Sequence, residues 1–323
     1  MQATSGAGKV RGRWTAAGLA LGAILCMAMR SGAIAGTHRD PRAVAVADAT
    51  RQAIAPDGAW SKVACLRFTF SVVKSGAALG EFRHLWEPGT GQYRLEWKDK
   101  EGVERTVLFD VTNRKGRAYQ KRSASGTGNT PDGGGAGAPT SPAQGAAAPP
   151  AQGGIAAPAP GAAISPAASA ALPPATWSEI ENPDEVKKLL EKAYGRYIND
   201  SYWLLMPLKM QDPGVNLASE GKTELGGKPY DVVRLTFDEG VGLTPRDTYW
   251  AYVSKTSGLM ERWEMVLTGQ EARDRAAYLW TDWQTIGGVR LALTKTSTDG
   301  SSVIRFDHVS GSGSPDDAAF TLP

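Results

Sequence analysis

Closely spaced strand signals, separated by tight turns, constrain the fold of this 323-residue chain more than any other feature. Leu66, Phe68 and Phe70 alternate with polar residues, and a period of two is typical of a half-buried strand. Dipeptides such as Gly226-Gly227, which suit two-residue hairpin turns, separate later segments of the same kind. The predicted strands cover residues 64–72, 82–86, 93–97, 106–111, 117–119, 215–224, 230–237, 248–253, 259–267, 276–286, 289–297 and 302–309.

Two helices are predicted beside these strands. Asp40 is placed to cap a helix over residues 41–54. Asn182 caps a second helix, whose apolar residues recur on one face until Asn199-Asp200 close it. So many strands with so little helix predict a mainly β (α+β) fold built on one large antiparallel sheet. A sheet of this size has to curl or close, so we expect a barrel or half-barrel.

Residues 202–210 hold the densest run of large apolar side chains in the predicted mature chain. The run either lines a hydrophobic cavity, with its methionines as adaptable contacts, or forms a central segment of the core. Trp250, Trp263, Trp280 and Trp283 have the same two interpretations, and the opposite parity of Trp280 and Trp283 predicts that they cannot both point inward. The candidate ligand-binding residues are Tyr202, Trp203, Leu204, Leu205, Met206, Leu208, Met210, Trp250 and Trp263.

The first 35 residues have the three parts of a secretory signal peptide. Three basic residues between positions 9 and 13 precede an apolar stretch at 15–29 and a small-x-small cleavage site at 33–35. An uncleaved membrane anchor is the alternative, but the apolar stretch is shorter than the roughly 20 residues that a spanning helix needs. We therefore predict export to the periplasm with cleavage after Ala35.

Removal of this segment changes both the charge and the cysteine content. Four basic residues are lost, which lowers the formal net charge from +3 to −1 and leaves no basic face for a nucleic acid. Cys26 is lost as well, so Cys65 is alone in the mature chain and cannot form an internal disulfide. Because Cys65 begins an apolar strand, we predict a buried, unreactive thiol.

Residues 123–176 differ in kind from the rest of the chain. They are almost entirely Ala, Gly, Pro, Ser, Gln and Thr, with Asp132 as the only charge. Such a segment cannot bury enough apolar surface to offset its conformational entropy, so we predict a disordered insertion. It divides one half-barrel domain into residues 36–122, with the first helix and meander, and residues 177–323, with the second helix and the remaining hairpins.

The sequence contains no credible catalytic or metal-binding constellation, and we predict no cofactor. The histidines are far apart and expected to be exposed or half-buried; they are His38, His84 and His308. Several carboxylates near turns are expected to cap or form those turns; they are Asp200, Asp212, Asp231, Asp238 and Asp247. Glu261 and Glu264 are expected to pair across strands. A Cys65–His84 dyad, or an Asp–His pair in a cleft, would instead indicate a hydrolase.

Three motifs resemble an uncharacterised periplasmic branch of the outer-membrane lipoprotein-sorting (LolA-like) superfamily. They are Tyr-x-Asn-Asp-x-Tyr-Trp-Leu-Leu-x-Pro-x-Lys at residues 197–209, Asp-Pro-Gly-Val at 212–215, and Val-Gly-Leu-Thr-Pro-Arg-Asp-Thr-Tyr at 241–249. The resemblance covers residues 40–322 apart from the insertion. It implies an unclosed half-barrel with one to three helices as a lid over a hydrophobic cavity. Arg83, Arg94 and Arg234 are the candidates for the cavity arginine of the better-known members.

The resemblance and the aromatic-rich half-barrel together predict a non-enzymatic periplasmic carrier or binding protein. Its ligand would be hydrophobic, either a lipid or an acylated lipoprotein. The alternative is a protein-binding scaffold module of the cell envelope without a lipid ligand, in which the insertion serves as a tether. A hydrolase on the same scaffold would need a nucleophile and a base, which the sequence does not reveal.

Overall fold

The computed structural model describes residues 38–121 and 176–322. The predicted signal peptide and the predicted insertion, apart from its last residue, therefore lie outside the described residues. Within the described ranges, no helix is long and apolar enough to cross a membrane.

The first helix, α1 (Pro41–Ile54), begins where its capping signal predicts. The Asp40 carboxylate accepts a hydrogen bond of 2.8 Å from the backbone N–H of Arg42, which satisfies one of the free donors at the helix start. A stripe of buried residues at helical spacing, including Ala43, Ala47 and Ile54, turns toward the core. This helix therefore packs along one side of the sheet and against the second helix.

The described strands form a single sheet in which every neighbouring pair is antiparallel. The predicted strands are all present, and a short unpredicted strand adds an edge. The strands are β1 (Cys65–Lys74), β2 (Ala77–Trp86), β3 (Gln92–Lys98), β4 (Glu104–Asp110), β5 (Gly116–Lys121), β6 (Trp177–Glu179), β7 (Val215–Leu225), β8 (Lys228–Phe237), β9 (Thr248–Ser254), β10 (Met260–Val266), β11 (Ala276–Ile286), β12 (Val289–Ser297) and β13 (Ser302–Ser312). Short 3-10 turns cover Pro56–Lys62, Ala272–Asp274 and Asp317–Phe320.

The second helix, α2 (Pro183–Lys209), shows that this sheet is strongly curled. The strand order is β6-β5-β4-β3-β2-β1-β13-β12-β11-β10-β9-β8-β7. Tyr197 of α2 contacts Tyr93 of β3, and Tyr202 contacts Tyr249 of β9. These two helix residues are only about 7.5 Å apart along the helix axis. In a flat sheet, β3 and β9 would lie about 34 Å from each other.

The sheet therefore wraps around α2, and the two helices cover its concave face. The edge strands β6 and β7 do not pair with each other, so the barrel stays open. This architecture confirms the predicted fold class, a mainly β half-barrel with helices across its open side.

One predicted boundary is wrong, because Asn199-Asp200 do not end the second helix. The helix continues through both residues and through the apolar run to Lys209. The polar side chains at this point find partners inside the protein, as described below, so tertiary contacts override their weak helix propensity. Pro207 is tolerated near the end of the helix, where its missing N–H removes only one helical hydrogen bond.

The two tryptophans of β11 differ in burial. Trp280 is buried, and Trp283 is half-buried at the edge of the core. The register of β11 with β12 runs without a shift from the pair Trp280–Lys295 to the pair Trp283–Ala292. The rule that these two side chains cannot both point inward therefore stays a prediction.

Candidate functional site

The C-terminal half of α2 fills the concave face with aromatic and aliphatic side chains. Every residue from Tyr202 to Leu208 is buried. The ring of Trp203 lies 6.3 Å from that of Trp280 on β11, and the ring of Tyr202 lies 5.5 Å from that of Trp263 on β10. Trp263 and Trp280 stack on each other at 5.9 Å. The helix thus rests on a continuous aromatic surface formed by β9, β10 and β11.

Eight of the nine predicted ligand-binding residues come together in this interior, and one does not. Those on α2 and its C-terminal cap, together with Trp263, are each at most 5% exposed. Trp250 lies on the outer face of the sheet, where the guanidinium of Arg275 is 3.5 Å from its ring centroid. The arrangement of the eight is compatible with both of the sequence interpretations, and their role as ligand contacts stays a prediction.

Several buried donors in this aromatic cluster have no acceptor. The hydroxyl of Tyr202 and the indole N–H groups of Trp263 and Trp280 have no hydrogen-bond partner among the described residues. A buried polar group without a partner costs about 1–3 kcal/mol. The interior is therefore rich in donors and poor in acceptors.

Lys295 adds a further donor to the same interior. Its side chain is completely buried on β12, and its Nζ lies 4.6 Å from the ring centroid of Trp280 and 4.0 Å from that of Phe306. One N–H donates to the backbone carbonyl of Ala292 at 2.5 Å. Burial lowers the pKa of Lys295 well below its usual value, against a small opposing effect from Asp282.

Lys295 was not among the residues singled out from the sequence, although its position in the strand pattern indicates that it is buried. Lys295 shares strand parity with Leu291 and Leu293, both of which are buried. Parity alone therefore placed a lysine on the apolar face of β12. A lysine in a short polar stretch is usually a solvent-exposed residue, so the signal is easily overlooked.

A strip of rings and cations connects Lys295 to solvent. The guanidinium of Arg196 lies 3.8 Å from the ring centroid of Phe82 and 4.8 Å from that of Phe70. Phe70 in turn meets Phe306 edge-to-face at 5.4 Å, and Phe306 is the ring beneath Lys295. The side chain of Arg196 is 19% exposed, so the strip reaches the surface at this residue.

Arg196 and Lys295 are thus the cations at the two ends of this strip, and the sequence singled out neither of them. The three arginines proposed from the family resemblance carry carboxylate partners elsewhere. Arg83 and Arg94 both pair with Glu96, and Arg234 pairs with Glu220.

A buried Asp–His pair lies beside this strip, and it corrects two predictions. His84 is not exposed or half-buried, and Asp200 does not form a turn, because both side chains are fully buried. Nε2 of His84 lies 3.0 Å from Oδ2 of Asp200, and Nδ1 lies 2.6 Å from the hydroxyl of Tyr93. Asp200 also accepts hydrogen bonds of 2.8 Å from Nε of Arg196 and from Nδ2 of Asn199.

The partners of His84 determine its tautomer. A carboxylate only accepts, so Nε2 carries the proton, and Nδ1 of the neutral ring accepts from the Tyr93 hydroxyl. Burial raises the pKa of Tyr93 well above its usual value, which keeps that hydroxyl protonated as a donor. Both ring nitrogens of His84 are therefore engaged, and neither is available to activate a nucleophile. The pair connects α2 to β2.

Acidification is expected to destabilise the protein through His84. Burial lowers the pKa of His84 below its usual value of about 6.5, with Asp200 opposing and Arg196 reinforcing that shift. Below pH 6.5, His84 therefore binds a proton more readily in the unfolded chain than in the folded chain, so the free energy of unfolding falls as the pH decreases. Protonation of His84 changes the free energy of unfolding by at most about 1.4 kcal/mol per pH unit.

Urea unfolding between pH 7 and pH 5 measures this pH dependence. In the His84→Gln variant, the free energy of unfolding should change less with pH. An unchanged slope in that variant would contradict the assignment.

The other side chains that could carry chemistry, a cysteine and two glutamates, have the surroundings of structural residues. Cys65 is buried, and burial raises the pKa of its thiol, as expected for an unreactive side chain. Glu264 and Glu261 of β10 each accept a hydrogen bond of 2.9 Å from a tyrosine hydroxyl on another strand, Tyr252 of β9 and Tyr230 of β8, so the predicted pairing across strands is confirmed. Among the residues that the structure describes, no group of three His, Cys, Asp or Glu side chains could hold a metal ion.

A cavity of about 340 Å³ lies on the outer, convex face. The residues that line it include Arg67, Arg83 and Arg94, and the C-terminal segment passes over it at Ala319. Arg94 donates to the Ala319 carbonyl at 2.6 Å, and Arg67 forms an ion pair with Asp316. This basic cavity is thus partly closed by the chain's own C-terminal segment.

The fold and the site together define an open antiparallel half-barrel that is crossed by an apolar helix and has a donor-rich interior. One family model matches residues 178–283, and it describes a family of unknown function (DUF6503). The match covers α2 and the strands β7 to β11, which carry most of the aromatic interior. No curated protein sequence matches the chain.

Three solved structures follow a similar chain path. A LolA superfamily protein from Nitrosomonas europaea is 8% identical with a TM-score of 0.44, and the match covers 87% of this chain and 97% of that one. A DUF1329 family protein from Desulfovibrio piger is 10% identical (TM-score 0.41, covering 86% and 97%). A putative outer membrane lipoprotein-sorting protein domain from Vibrio parahaemolyticus is 7% identical (TM-score 0.40, covering 87% and 96%). A LolA superfamily protein and a lipoprotein-sorting domain, the group that the sequence motifs resemble, are thus among the similar structures, and likenesses this distant carry no argument about function.

Proposed function

We propose that this protein is a non-enzymatic binding protein or carrier for a hydrophobic ligand with an acyl chain. The ligand, a lipid or the acyl group of a lipoprotein, would lie between α2 and the ring-lined concave face of the sheet. The observation that supports this most is the set of buried donors without acceptors, at Tyr202, Trp263 and Trp280. An acyl ligand would supply both the apolar chain and the missing acceptor oxygen.

The low intrinsic stability of α2 is compatible with a helix that can move away from the sheet. Gly195 and Ser201 in its middle and Pro207 near its end lower the intrinsic helix stability, so packing rather than propensity holds it in place. An acyl chain that replaces part of this packing would recover about 0.8 kcal/mol for each buried CH₂ group. We therefore propose that α2 acts as the lid of the binding site.

We place this activity in the periplasm because of the export signal predicted in residues 1–35. We also propose that residues 123–176 form a disordered insertion. It would divide the sequence of a single half-barrel domain into the segments 36–122 and 177–323.

Native mass spectrometry with lipid extraction tests the proposal on protein exported to the periplasm. The expected result is a stoichiometric acyl-chain adduct, and the mass of the polypeptide would also report cleavage after Ala35. Leu205→Glu should abolish the adduct, because it places a charge in the packed interface between α2 and the sheet.

The matched control is Leu79→Glu, the same change at an exposed leucine, which should retain the adduct. Near-ultraviolet circular dichroism establishes whether each variant keeps its tertiary packing. If the unmodified protein carries no lipid and takes up no fluorescent fatty acid, the carrier proposal is wrong. That outcome would favour the protein-binding scaffold.

A further inference from the structure

Lys295 is a buried cation without an anion. Its side chain has no exposed surface, and no described carboxylate oxygen lies within 4.0 Å of its Nζ. The amine instead contacts the rings of Trp280 and Phe306 and donates to one backbone carbonyl. Isolated charges are expensive to bury, and a lysine at such a position is unusual unless it is paired. Core packing alone does not require a lysine here.

The groups in contact with Lys295 supply more donors, and the nearest acting carboxylate, Asp282, forms no ion pair with the amine. Trp280, whose ring lies against the amine, has a buried indole N–H without a partner, and so does Trp263, which is stacked on Trp280. Lys295 itself has three hydrogens as an ammonium group, of which one is engaged by Ala292. Two ammonium hydrogens and the unpartnered indole donors nearby form a set that suits an acceptor with two oxygens.

The charge of the interior indicates a monoanion. Arg196, the cation at the outer end of the strip, is already neutralised by Asp200. At the buried end, Lys295 is thus the one amine that contacts these rings and could balance the charge of a ligand. A carboxylate matches this charge, whereas a phosphate head group would bring up to two negative charges and additional oxygens.

We propose that Lys295 binds the carboxylate of a free fatty acid, so that the ligand enters with its head group inward. This inference rests on the proposed function and names its ligand class. The chain of the fatty acid would then follow the rings of Phe306, Phe70 and Phe82 toward Arg196, where the strip reaches solvent. An ester has no negative charge for Lys295, so it would bind more weakly at the same site.

Displacement of a dansylated fatty acid from the delipidated, full-length mature protein tests this inference. The competitors are palmitic acid and its methyl ester, which have the same acyl chain and differ in the charge of the head group. The unmodified protein should bind palmitic acid at least roughly tenfold more tightly than the ester, as expected for a charged hydrogen bond in a buried site. Lys295→Met, which keeps the length of the side chain, should remove this preference and leave the affinity for the ester unchanged.

The matched control is Lys192→Met. Lys192 itself lies over the rings of Trp97 and Phe82, at the mouth of the strip, so a second control is Lys222→Met. Lys222 is exposed on β7, away from the strip, so the preference for the acid should be retained in that variant. If acid and ester compete equally with the unmodified protein, the inference about Lys295 is wrong, while acyl-chain binding still stands. If neither competitor displaces the probe and the probe itself does not bind, the proposed function fails. The comparison of acid and ester in the unmodified protein needs no variant, so it remains decisive if Lys295→Met does not fold.

Discussion

Replacement of Asp200 by alanine is expected to lower the free energy of unfolding by about 3–5 kcal/mol. The carboxylate is fully buried and accepts from Nε of Arg196 and from Nδ2 of Asn199, while Nε2 of His84 lies 3.0 Å away. Its removal leaves a guanidinium and two neutral donors without their acceptor in a medium of low dielectric constant. The loss should thus exceed the effect of any single hydrogen bond. Urea unfolding followed by tryptophan fluorescence measures it.

The matched control for Asp200→Ala is Asp231→Ala. Asp231 pairs with Lys255 at 3.2 Å, but both side chains of this pair reach solvent. Surface ion pairs contribute about 0–1 kcal/mol, so the control variant should unfold almost like the original protein. If the two variants lose similar amounts of stability, the buried network does not hold α2 against β2.

Replacement of Lys295 by methionine should have the opposite effect and raise the free energy of unfolding at pH 7, by about 1–3 kcal/mol. Burial lowers the pKa of Lys295 well below its usual value, so the unfolded chain binds a proton at pH 7 more readily than the folded chain does. This difference destabilises the fold at pH 7 and diminishes as the pH rises toward the usual lysine pKa of about 10.4. Methionine has a similar shape and no charge to bury.

Urea unfolding between pH 7 and pH 9 separates this effect from general packing changes. The unmodified protein should gain stability with rising pH in this window, and Lys295→Met should gain less. A variant that is less stable than the original protein, with the same pH dependence, would show that Lys295 is a well-satisfied structural residue. Higher stability combined with lost fatty-acid preference would indicate that the lysine is retained for binding at a cost in stability.

The two basic side chains at the ends of the strip thus have contrasting surroundings. Arg196 is satisfied by Asp200 within the protein, and its neighbours fix α2 in place. Lys295 is surrounded by rings and donors, and its charge is unbalanced within the described protein. We interpret Arg196 as a structural residue of the lid and Lys295 as the residue that binds the carboxylate of the ligand.

Part of this site was predictable from the sequence because it depends on local pattern. The run at residues 202–210 was recognisable as an apolar segment that must be buried, and the tertiary structure places it in the interior. The end of α2 was not predictable, since Asn199 and Asp200 have low helix propensity and Asp200 is stabilised by His84, which is distant in sequence.

The sequence by itself determined the strands, the hairpins between them, the cap of α1 and the burial of Cys65, because these follow from alternation, turn chemistry and local capping. Only the tertiary structure decided that β1 pairs with β13 and that the sheet curls around α2. It also decided that His84 meets Asp200 and that Lys295 lies between Trp280 and Phe306. The physical reason is sequence separation. β1 and β13, and likewise His84 and Asp200, are far apart in sequence and meet only when the sheet curls around the helix, and neither the charge nor the hydropathy of a single segment specifies a distant partner. Trp280 and Phe306 lie on the two strands that neighbour the strand of Lys295, and there the tertiary structure decides which face of these strands the helix covers.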